Sequence, residues 1–273
     1  MYTQIIYPSV PLRPFVHHYW VMKTEGWTME MNIMPKGCMK WMFHRQHPLI
    51  VNGIVNTSMV GTVCGCYNSA THVRSDGATY LLFVFFKPYA MKMVMGMPCK
   101  HFFDSNIDMD DLENLGFKVL KRQVLESASD SLAIDYIEKF ILRQLERYYD
   151  EYSVRRIFSV CDEMDRRPFL DVKHLADLAC LGERQFRRIY LENVGITPKR
   201  MLCIYRFIKA TQMLQHSLSR DFSSIIVQLG YTDHSHFNKD FRKIAGMSPS
   251  EYLTHIELLR QNLVLDGYQS YHQ

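Results

Sequence analysis

The stretch Gly195-Ile196-Thr197-Pro198-Lys199-Arg200-Met201-Leu202 recurs 51 residues later as Gly246-Met247-Ser248-Pro249-Ser250-Glu251-Tyr252-Leu253. An aromatic and basic segment precedes each copy, at residues 183–193 and again at residues 234–245. The aromatic positions of these two segments align at the same offset. A two-fold repeat of this kind indicates that one supersecondary unit occurs twice in the chain.

Each copy is predicted to be a helix-turn-helix. In the first, apolar residues of the segment 172–180 recur at helical spacing, Leu181-Gly182 interrupts the pattern, and a second helix covers 183–193. In the second, we predict helices over 222–229 and 234–245, with Thr232 or Asp233 as the N-cap of the latter. The supporting helices align at an offset of 50 rather than 51, which predicts that the second turn is one residue longer.

A long helix is predicted between the two units. Pro198 suits the first position of a helix, and the segment Lys199–Ser217 carries a continuous apolar side. About 20 residues at 1.5 Å each span roughly 30 Å. One turn of B-DNA is roughly 34 Å long, so a connector of this length could hold two helices in successive major grooves.

The exposed faces of the two second helices carry the predicted DNA contacts. Arg and Lys pair well with guanine and Asn or Gln with adenine, and the N-terminal end of such a helix enters the major groove. The alternative for these charges is a solvated helix face. The predicted contacts are Arg184, Gln185, Arg187, Arg188, His234, Ser235, His236, Asn238, Lys239, Arg242 and Lys243, of which the last two are assigned to phosphates.

Residues 171–253 resemble the DNA-binding domain of the AraC/XylS family of bacterial transcription regulators. The residues that carry the resemblance are Leu175-Ala176, Phe186-Arg187-Arg188, Gly195, Pro198, Arg206, Ala210, Leu214, Gly230-Tyr231, Ser235-His236-Phe237, Phe241, Gly246-Met247-Ser248-Pro249 and Tyr252. Gly182 and Ile226 depart from the family pattern, in which Ser and Ala are usual. The resemblance implies a regulator, more often an activator, that binds double-stranded promoter DNA as a homodimer. RNA polymerase and a small-molecule effector in the N-terminal domain are further candidate partners.

The distribution of charge and cysteine limits the class of protein. The formal net charge is +4, but the segment 183–243 holds eleven Lys and Arg against five acids, as phosphate contacts require. The first residues lack a basic, apolar leader, and no apolar stretch reaches 18 residues, so we expect neither a signal peptide nor a membrane span. Seven cysteines without framework spacing favour a reducing cytoplasm.

The N-terminal half is predicted to be a small β-barrel or sandwich. Short aromatic and β-branched segments are separated by turn residues, and Asp76-Gly77 is predicted to close a hairpin. Its Pro and aromatic layout is similar to the N-terminal domains of one branch of the same family, which implies a cupin-like sensing or dimerising domain. The predicted strands are Phe15–Met22, Lys40–His44, Leu49–Val55, Ser58–Val63, Ala70–Val73 and Thr79–Phe86.

Helices are predicted to join the two halves. An acidic helix start at residues 108–111 is followed by helices over 112–126, 131–149 and 152–164, and a short helix over 90–95 precedes them. The apolar stripe from Leu132 to Leu145 has two interpretations, packing within its own domain or pairing of two protomers. The predicted domains are 1–112 (β-rich), 113–167 (helical bridge), 168–258 (DNA-binding) and 259–273 (tail).

Two other classes of protein remain as alternatives. The first is a DNA-repair or redox enzyme that carries this DNA-binding domain and uses a reactive cysteine among Cys38, Cys64, Cys66 and Cys99. The second is an adaptor whose helices bind proteins. Cys64-Gly65-Cys66 with His72 lacks a zinc-ligand spacing, so we predict no metal site, no cofactor and no catalytic residue. The Met-rich and aromatic interior fits an ordinary core, with an apolar ligand pocket as the other interpretation.

Overall fold

A computed structural model of the protein shows ten β-strands among the described residues between Tyr2 and Asp108. The structure describes residues 2–26, 28–56, 60–217 and 222–263, except for the side chains of residues 217 and 257–263. The strands are β1 (Tyr2–Ile6), β2 (Val16–Thr24), β3 (Met29–Ile33), β4 (Lys40–Gln46), β5 (Leu49–Val51), β6 (Ile54–Asn56), β7 (Gly61–Cys64), β8 (Thr71–Ser75), β9 (Thr79–Phe86) and β10 (Asn106–Asp108).

The strands form two antiparallel sheets that face each other. One has six strands in the order β1-β2-β9-β4-β7-β10, and the other has four in the order β3-β8-β5-β6. Met42 and Phe83 of the larger sheet share a core with Leu49 and Val73 of the smaller sheet. This arrangement confirms the predicted β-type N-terminal domain.

Strand β9 is buried along its whole length because both of its faces are covered. Side chains alternate between the two faces of a strand. Leu81, Phe83 and Phe85 therefore point between the two sheets. Tyr80, Leu82, Val84 and Phe86 belong instead to the core that the larger sheet shares with the helices.

The described residues also form ten α-helices, some of which pack against the larger sheet. The core of the sheet extends into the bridging helices, because the Trp41 ring lies 4.8 Å from Phe86, 5.7 Å from Phe117 and 5.9 Å from Phe140. The helices are α1 (Met91–Met95), α2 (Gly116–Leu125), α3 (Asp130–Tyr148), α4 (Glu151–Arg166), α5 (Val172–Leu178), α6 (Glu183–Val194), α7 (Pro198–Ser217), α8 (Ser223–Gln228), α9 (His234–Ala245) and α10 (Pro249–Leu263).

The predicted all-α double helix-turn-helix is confirmed. The first unit is α5 and α6, the second is α8 and α9, and α7 is the predicted long connector. Four residues separate α5 from α6 and five separate α8 from α9, so the second turn is one residue longer, as predicted. The apolar stripe of α3 packs inside the chain through Ile137, Phe140 and Ile141, whereas Leu132 lies at the surface.

The predicted hairpin at Asp76-Gly77 is wrong. Strand β8 pairs with β3 and β5, whereas β9 pairs with β2 and β4 in the other sheet. The turn therefore carries the chain from one sheet to the other. The flanking residues satisfy a hairpin pattern locally, but each strand finds its partners elsewhere in the sequence.

Three further predictions need correction. The predicted strand Leu49–Val55 is two strands, because Asn52 and Gly53 both adopt positive φ and turn β5 back onto β6. The acidic stretch at 108–111 forms a strand end and a 3-10 turn, and α2 begins only at Gly116. Strands β1, β3 and β10 were not predicted. The start of the predicted strand Ser58–Val63 and residues 264–273 of the predicted tail lie outside the described residues.

Candidate nucleic-acid interface

The first unit is held by a cap, a tight turn and two buried rings. The Asp171 side chain accepts a hydrogen bond from the backbone N–H of His174 (2.7 Å) and so caps α5. Cys180 adopts φ 53° in the turn. Phe186 and Tyr190 of α6 are fully buried, and burial raises the pKa of the Tyr190 hydroxyl well above its usual value. The inner face of α6 is thus fixed by packing.

The outer face of α6 presents the four predicted contact residues to solvent. Arg184, Gln185, Arg187 and Arg188 are all exposed. Arg187 Nε donates to Glu183 Oε1 at 2.9 Å, and Arg188 Nη1 lies 3.6 Å from Glu192 Oε1. Exposed ion pairs of this kind contribute about 0.3–0.5 kcal/mol, so both guanidinium groups can exchange their carboxylate for a phosphate or a base edge.

The second unit repeats this design, with an aspartate cap at the start of α9. The Asp233 side chain accepts from the backbone N–H of His236 at 2.7 Å, which decides the open choice between Thr232 and Asp233 in favour of Asp233. Phe241 of α9 packs 4.9 Å from Phe207 of the connector α7. Arg206 of α7 lies 3.5 Å from Asp240 of α9. The second helix is therefore anchored to the connector by an aromatic contact and an ion pair.

The outer face of α9 differs from that of α6 at one predicted position. His234, Ser235, Asn238, Lys239, Arg242 and Lys243 are exposed. His236 is half-buried, its Nδ1 lies 2.8 Å from Thr232 Oγ1, and its ring packs edge-on against Tyr231. These contacts direct its ring towards the turn.

The N-cap residues of α9 and α6, Asp233 and Gly182, lead to a prediction for stability. Asp233→Ala removes the side-chain acceptor at the start of α9 and should lower the free energy of unfolding by about 1 kcal/mol. Gly182, the N-cap of α6, has φ −64° and no atom within 4 Å of an added Cβ, so Gly182→Ser should raise stability by a few tenths of a kcal/mol. Urea unfolding of both variants measures the difference. Equal effects of the two changes would contradict the assigned caps.

The comparisons agree with this geometry. Residues 175–255 match a family model described as a helix-turn-helix domain, and residues 4–108 match one described as a domain of unknown function (DUF6597). The chain is 25% identical over 174 residues to the probable transcriptional regulator LumQ of Photobacterium leiognathi, which covers 59% of this chain and 70% of that relative. It is 35% identical over 77 residues to the transcriptional activator RhaS of Escherichia fergusonii.

The chain carries an AraC-type helix-turn-helix domain at residues 175–255. It is a DNA-binding transcription regulator. The match to RhaS spans 28% of this chain and 27% of that relative. The lactose operon transcription activator of Staphylococcus xylosus is 26% identical over 55% of this chain and 58% of its own length. The structure of ToxT from Vibrio cholerae aligns with 86% of this chain and 97% of its own chain. The sequence identity is 13% and the TM-score is 0.44.

The structure shows the surroundings of one of the two residues that depart from the AraC/XylS pattern. Ile226, where Ala is usual, is buried in α8. Phe222, the N-cap of the same helix, packs 5.9 Å from Phe237 of α9. The larger side chain of Ile226 therefore lies in the core of the second unit, not at its surface.

The sequence does not predict the contacts between the N-terminal sheets and the DNA-binding units. The segment 65–70, which we call the linking loop, follows β7. Arg200 of α7 donates to the carbonyl oxygen of Asn68, and the Ala70 N–H donates to the carbonyl oxygen of Ile244 in α9 at 2.7 Å. The Cys66 thiol lies 3.6 Å from the carbonyl oxygen of Val194 in α6. One loop therefore contacts the C-terminal ends of both α6 and α9. Contacts to backbone atoms of this kind leave no pattern in the sequence.

The four candidate cysteines do not have the lowered pKa that a reactive thiol requires. Burial raises the pKa of Cys38, Cys64, Cys66 and Cys99, whereas a reactive thiol needs a lowered pKa. Among the described residues, no group of three or more His, Cys, Asp or Glu side chains is arranged to hold a metal ion. In the same part of the chain, no helix combines the length and apolar character that a membrane crossing requires.

Proposed function

We propose that the chain recognises specific promoter sequences by placing α6 and α9 in two successive major grooves on one side of the DNA. The observation that carries the proposal is the pair of 12-residue helices with exposed basic faces, joined by a helix of 20 residues. A helix of that length spans roughly 30 Å, close to the roughly 34 Å of one DNA turn.

The exposed residues divide into two kinds of contact. Arg184, Gln185 and Arg188 of α6 would contact base edges, and Arg187, engaged with Glu183, would contact a base edge or a phosphate. On α9, Arg242 and Lys243 near the C-terminal end would contact phosphates. His236 was predicted to contact a base. Because its ring contacts Thr232, it would instead position the start of α9. The remaining predicted base contacts are His234, Ser235, Asn238 and Lys239.

Each predicted domain has its own proposed role. Residues 1–112 would sense a signal, residues 113–167 would bridge, and residues 168–258 would bind DNA. The linking loop supports direct communication, because Asn68 and Ala70 contact Arg200 and Ile244 of the DNA-binding domain. A small effector bound between the sheets would alter the spacing of α6 and α9 by moving this loop.

Transcriptional activation is the proposed outcome of DNA binding. The lactose operon protein of Staphylococcus xylosus and the RhaS proteins are named as activators. Binding as a homodimer on two half-sites, contact with RNA polymerase and a cytoplasmic location belong to the same proposal. Analytical ultracentrifugation of the protein with one and two half-sites measures the stoichiometry.

A genome-wide footprint of the bound protein tests the proposal most directly. The expected result is a small set of promoter sites, each with two short conserved blocks about one helical turn apart. The purified protein should then prefer such a site to its scrambled version at two salt concentrations, because specific and non-specific binding separate in this way. Uniform binding along the genome, or equal affinity for the scrambled fragment, would refute sequence-specific recognition.

Arg242→Ala should weaken binding to all sequences alike. Arg242 is exposed, and its ion pair with Glu251 is long (3.8 Å) and exposed on both sides, so its guanidinium group can exchange this carboxylate for a phosphate. Loss of one phosphate contact should reduce the slope of log K against log salt by about 1, without a change in base preference. Fluorescence anisotropy over a salt series measures this slope. A variant with an altered base preference would show instead that Arg242 contacts bases.

A further inference from the structure

A cluster of polar side chains joins α7, α9 and the turn before α9. Its centre is Asp240 of α9, whose Oδ2 lies 3.5 Å from Arg206 Nη2 of α7 and 3.5 Å from His236 Nε2 of α9. This oxygen is buried, and it forms no hydrogen bond with any residue that the structure describes. Because an uncompensated buried carboxylate is costly, these two contacts restrict where the Asp240 side chain can lie.

Both partners of Asp240 are held in place by the turn. The guanidinium carbon of Arg206 lies 5.1 Å from the ring centroid of Tyr231. The Thr232 backbone N–H donates to His236 Nδ1, and the Thr232 hydroxyl lies 2.8 Å from the same nitrogen. Since Nδ1 accepts, the proton of the neutral ring is on Nε2, the nitrogen that faces Asp240. The cluster therefore fixes α9 to α7 and to the turn through side chains.

Within the described residues, the first unit has no counterpart of this cluster. At the offset of 51 residues, Asp240 corresponds to Ile189 and His236 to Gln185. Ile189 packs against the apolar core, and Gln185 is exposed. Helix α6 is held instead by Tyr190, whose hydroxyl contacts Met164 of α4. The orientation of α9 thus depends on polar groups that α6 does not use.

We propose that Asp240 is a positioning residue that sets the base preference of α9 without contacting DNA. The inference rests on the proposed function, because it requires that α9 reads a base sequence. Asp240 directly follows Asn238 and Lys239, two of the predicted base contacts, and its side chain is 20% exposed. Base contacts require side chains held within about 0.5 Å and 10–20° of the productive geometry. A rotation of α9 about its axis would therefore misplace both contact residues.

Loss of either charge should release this rotation while α9 stays packed on α7. Asp240→Asn keeps the size of the side chain and removes its charge, and Arg206→Met removes the cation of α7. The contact between Phe207 of α7 and Phe241 of α9 remains in both variants. The double variant leaves no unpaired charge, so it should fold even if one of the single changes unfolds the second unit.

The test uses the full-length protein and two libraries of the footprinted promoter site, each with one of the two blocks randomised. The block whose preference changes in Lys239→Ala is the one that α9 contacts. Asp240→Asn and Arg206→Met should lower the preference at this block by roughly tenfold or more and leave the preference at the other block unchanged. The double variant should lose no more than either single variant, because both changes break the same link.

Asp165→Asn is the matched control. Asp165 of α4 lies 3.7 Å from Lys209 of α7, so this change also removes a carboxylate that pairs with a cation of the connector. The control should keep its preference at both blocks. Thermal melting of all the variants shows that each one is folded when its preference is measured.

Unchanged preference at the α9 block in the folded double variant would overturn the role of Asp240. An equal loss at both blocks would overturn it too, because a general loss of structure would then explain the result, and so would the same loss in Asp165→Asn. A wild type that selects no sequence in either library would overturn the proposed function itself. The two failures are therefore distinguishable.

Discussion

Alanine at both Arg188 and Lys239 should abolish sequence-specific DNA binding while the protein stays folded. The two residues occupy equivalent places in α6 and α9, and both are exposed. Each base contact of this type contributes about 1–3 kcal/mol, and contacts in separate grooves should add. The double variant should therefore lose about 2–6 kcal/mol of specific binding free energy, which is roughly 30-fold at the low end. Anisotropy with the footprinted promoter fragment measures the loss.

A charge-matched control separates base recognition from general electrostatics. Lys100→Ala with Arg155→Ala removes the same two positive charges from exposed sites outside both units. This control should keep its preference for the promoter over scrambled DNA. If the Arg188 and Lys239 variant kept the same preference as the control, the assignment of α6 and α9 as recognition helices would be wrong.

Trp41→Ala should cause the largest loss of stability among single changes in the N-terminal domain. The Trp41 side chain is 0% exposed and contacts Phe86 in the sheet, Phe117 in α2 and Phe140 in α3. Truncation of a buried aromatic residue costs about 3–5 kcal/mol. For a protein of this size that corresponds to a melting temperature lower by roughly 6–20 °C. Calorimetric melting of the purified protein gives the value.

Trp41→Phe is the matched variant. It keeps an aromatic ring in the cluster and removes the buried indole N–H, which has no hydrogen-bond partner in the described structure. The lost volume and the removed unsatisfied donor act in opposite directions, so this variant should lose far less stability than Trp41→Ala. Phe103→Ala, at a 41% exposed ring, should be nearly neutral. Similar losses in all three variants would show that Trp41 is not a centre of this core.

The DNA-binding half could be predicted from sequence because its determinants are local. Helix α9 begins at His234 and ends at Ala245, the predicted bounds, since Asp233 caps one end and Gly246 takes the left-handed conformation at the other. Phe237 and Phe241 lie on one face at helical spacing, which leaves the polar residues outside. The exposure of the predicted contact residues follows from the same periodicity.

The sheets were harder to predict because strand pairing is not local. Strand β9 was predicted with its bounds, yet its partners β2 and β4 start about 60 and 40 residues earlier in the chain. Asp76-Gly77 fits a hairpin turn, but the pairing of β8 with β3 prevails over that local preference. Strand β1 pairs on one side only, at an edge of the larger sheet, and its polar and apolar residues do not alternate clearly.

The functional site was predictable in part for the same reason. The outer faces of α6 and α9 follow from residue type and spacing, whereas the orientation of His236 towards Thr232 depends on the conformation of the turn. The burial of Lys40 could not be predicted either, because a lysine at a strand start is normally at the surface. Only the pairing of β4 with β7 and β9 and the cover of the second sheet bury its ammonium group.

Gly195 and Gly246 end the two recognition helices at matching places in the repeat, and both have left-handed backbone conformations. A methyl group at Gly195 would meet the carbonyl oxygen of Cys99 at 2.9 Å, whereas one at Gly246 would meet no atom within 4 Å. The repeat thus contains two equivalent glycines, and Gly195 is further constrained by its packing against Cys99 of the N-terminal domain. Among related sequences, Gly246 should therefore be replaced more often than Gly195, and Asn should be its most acceptable replacement.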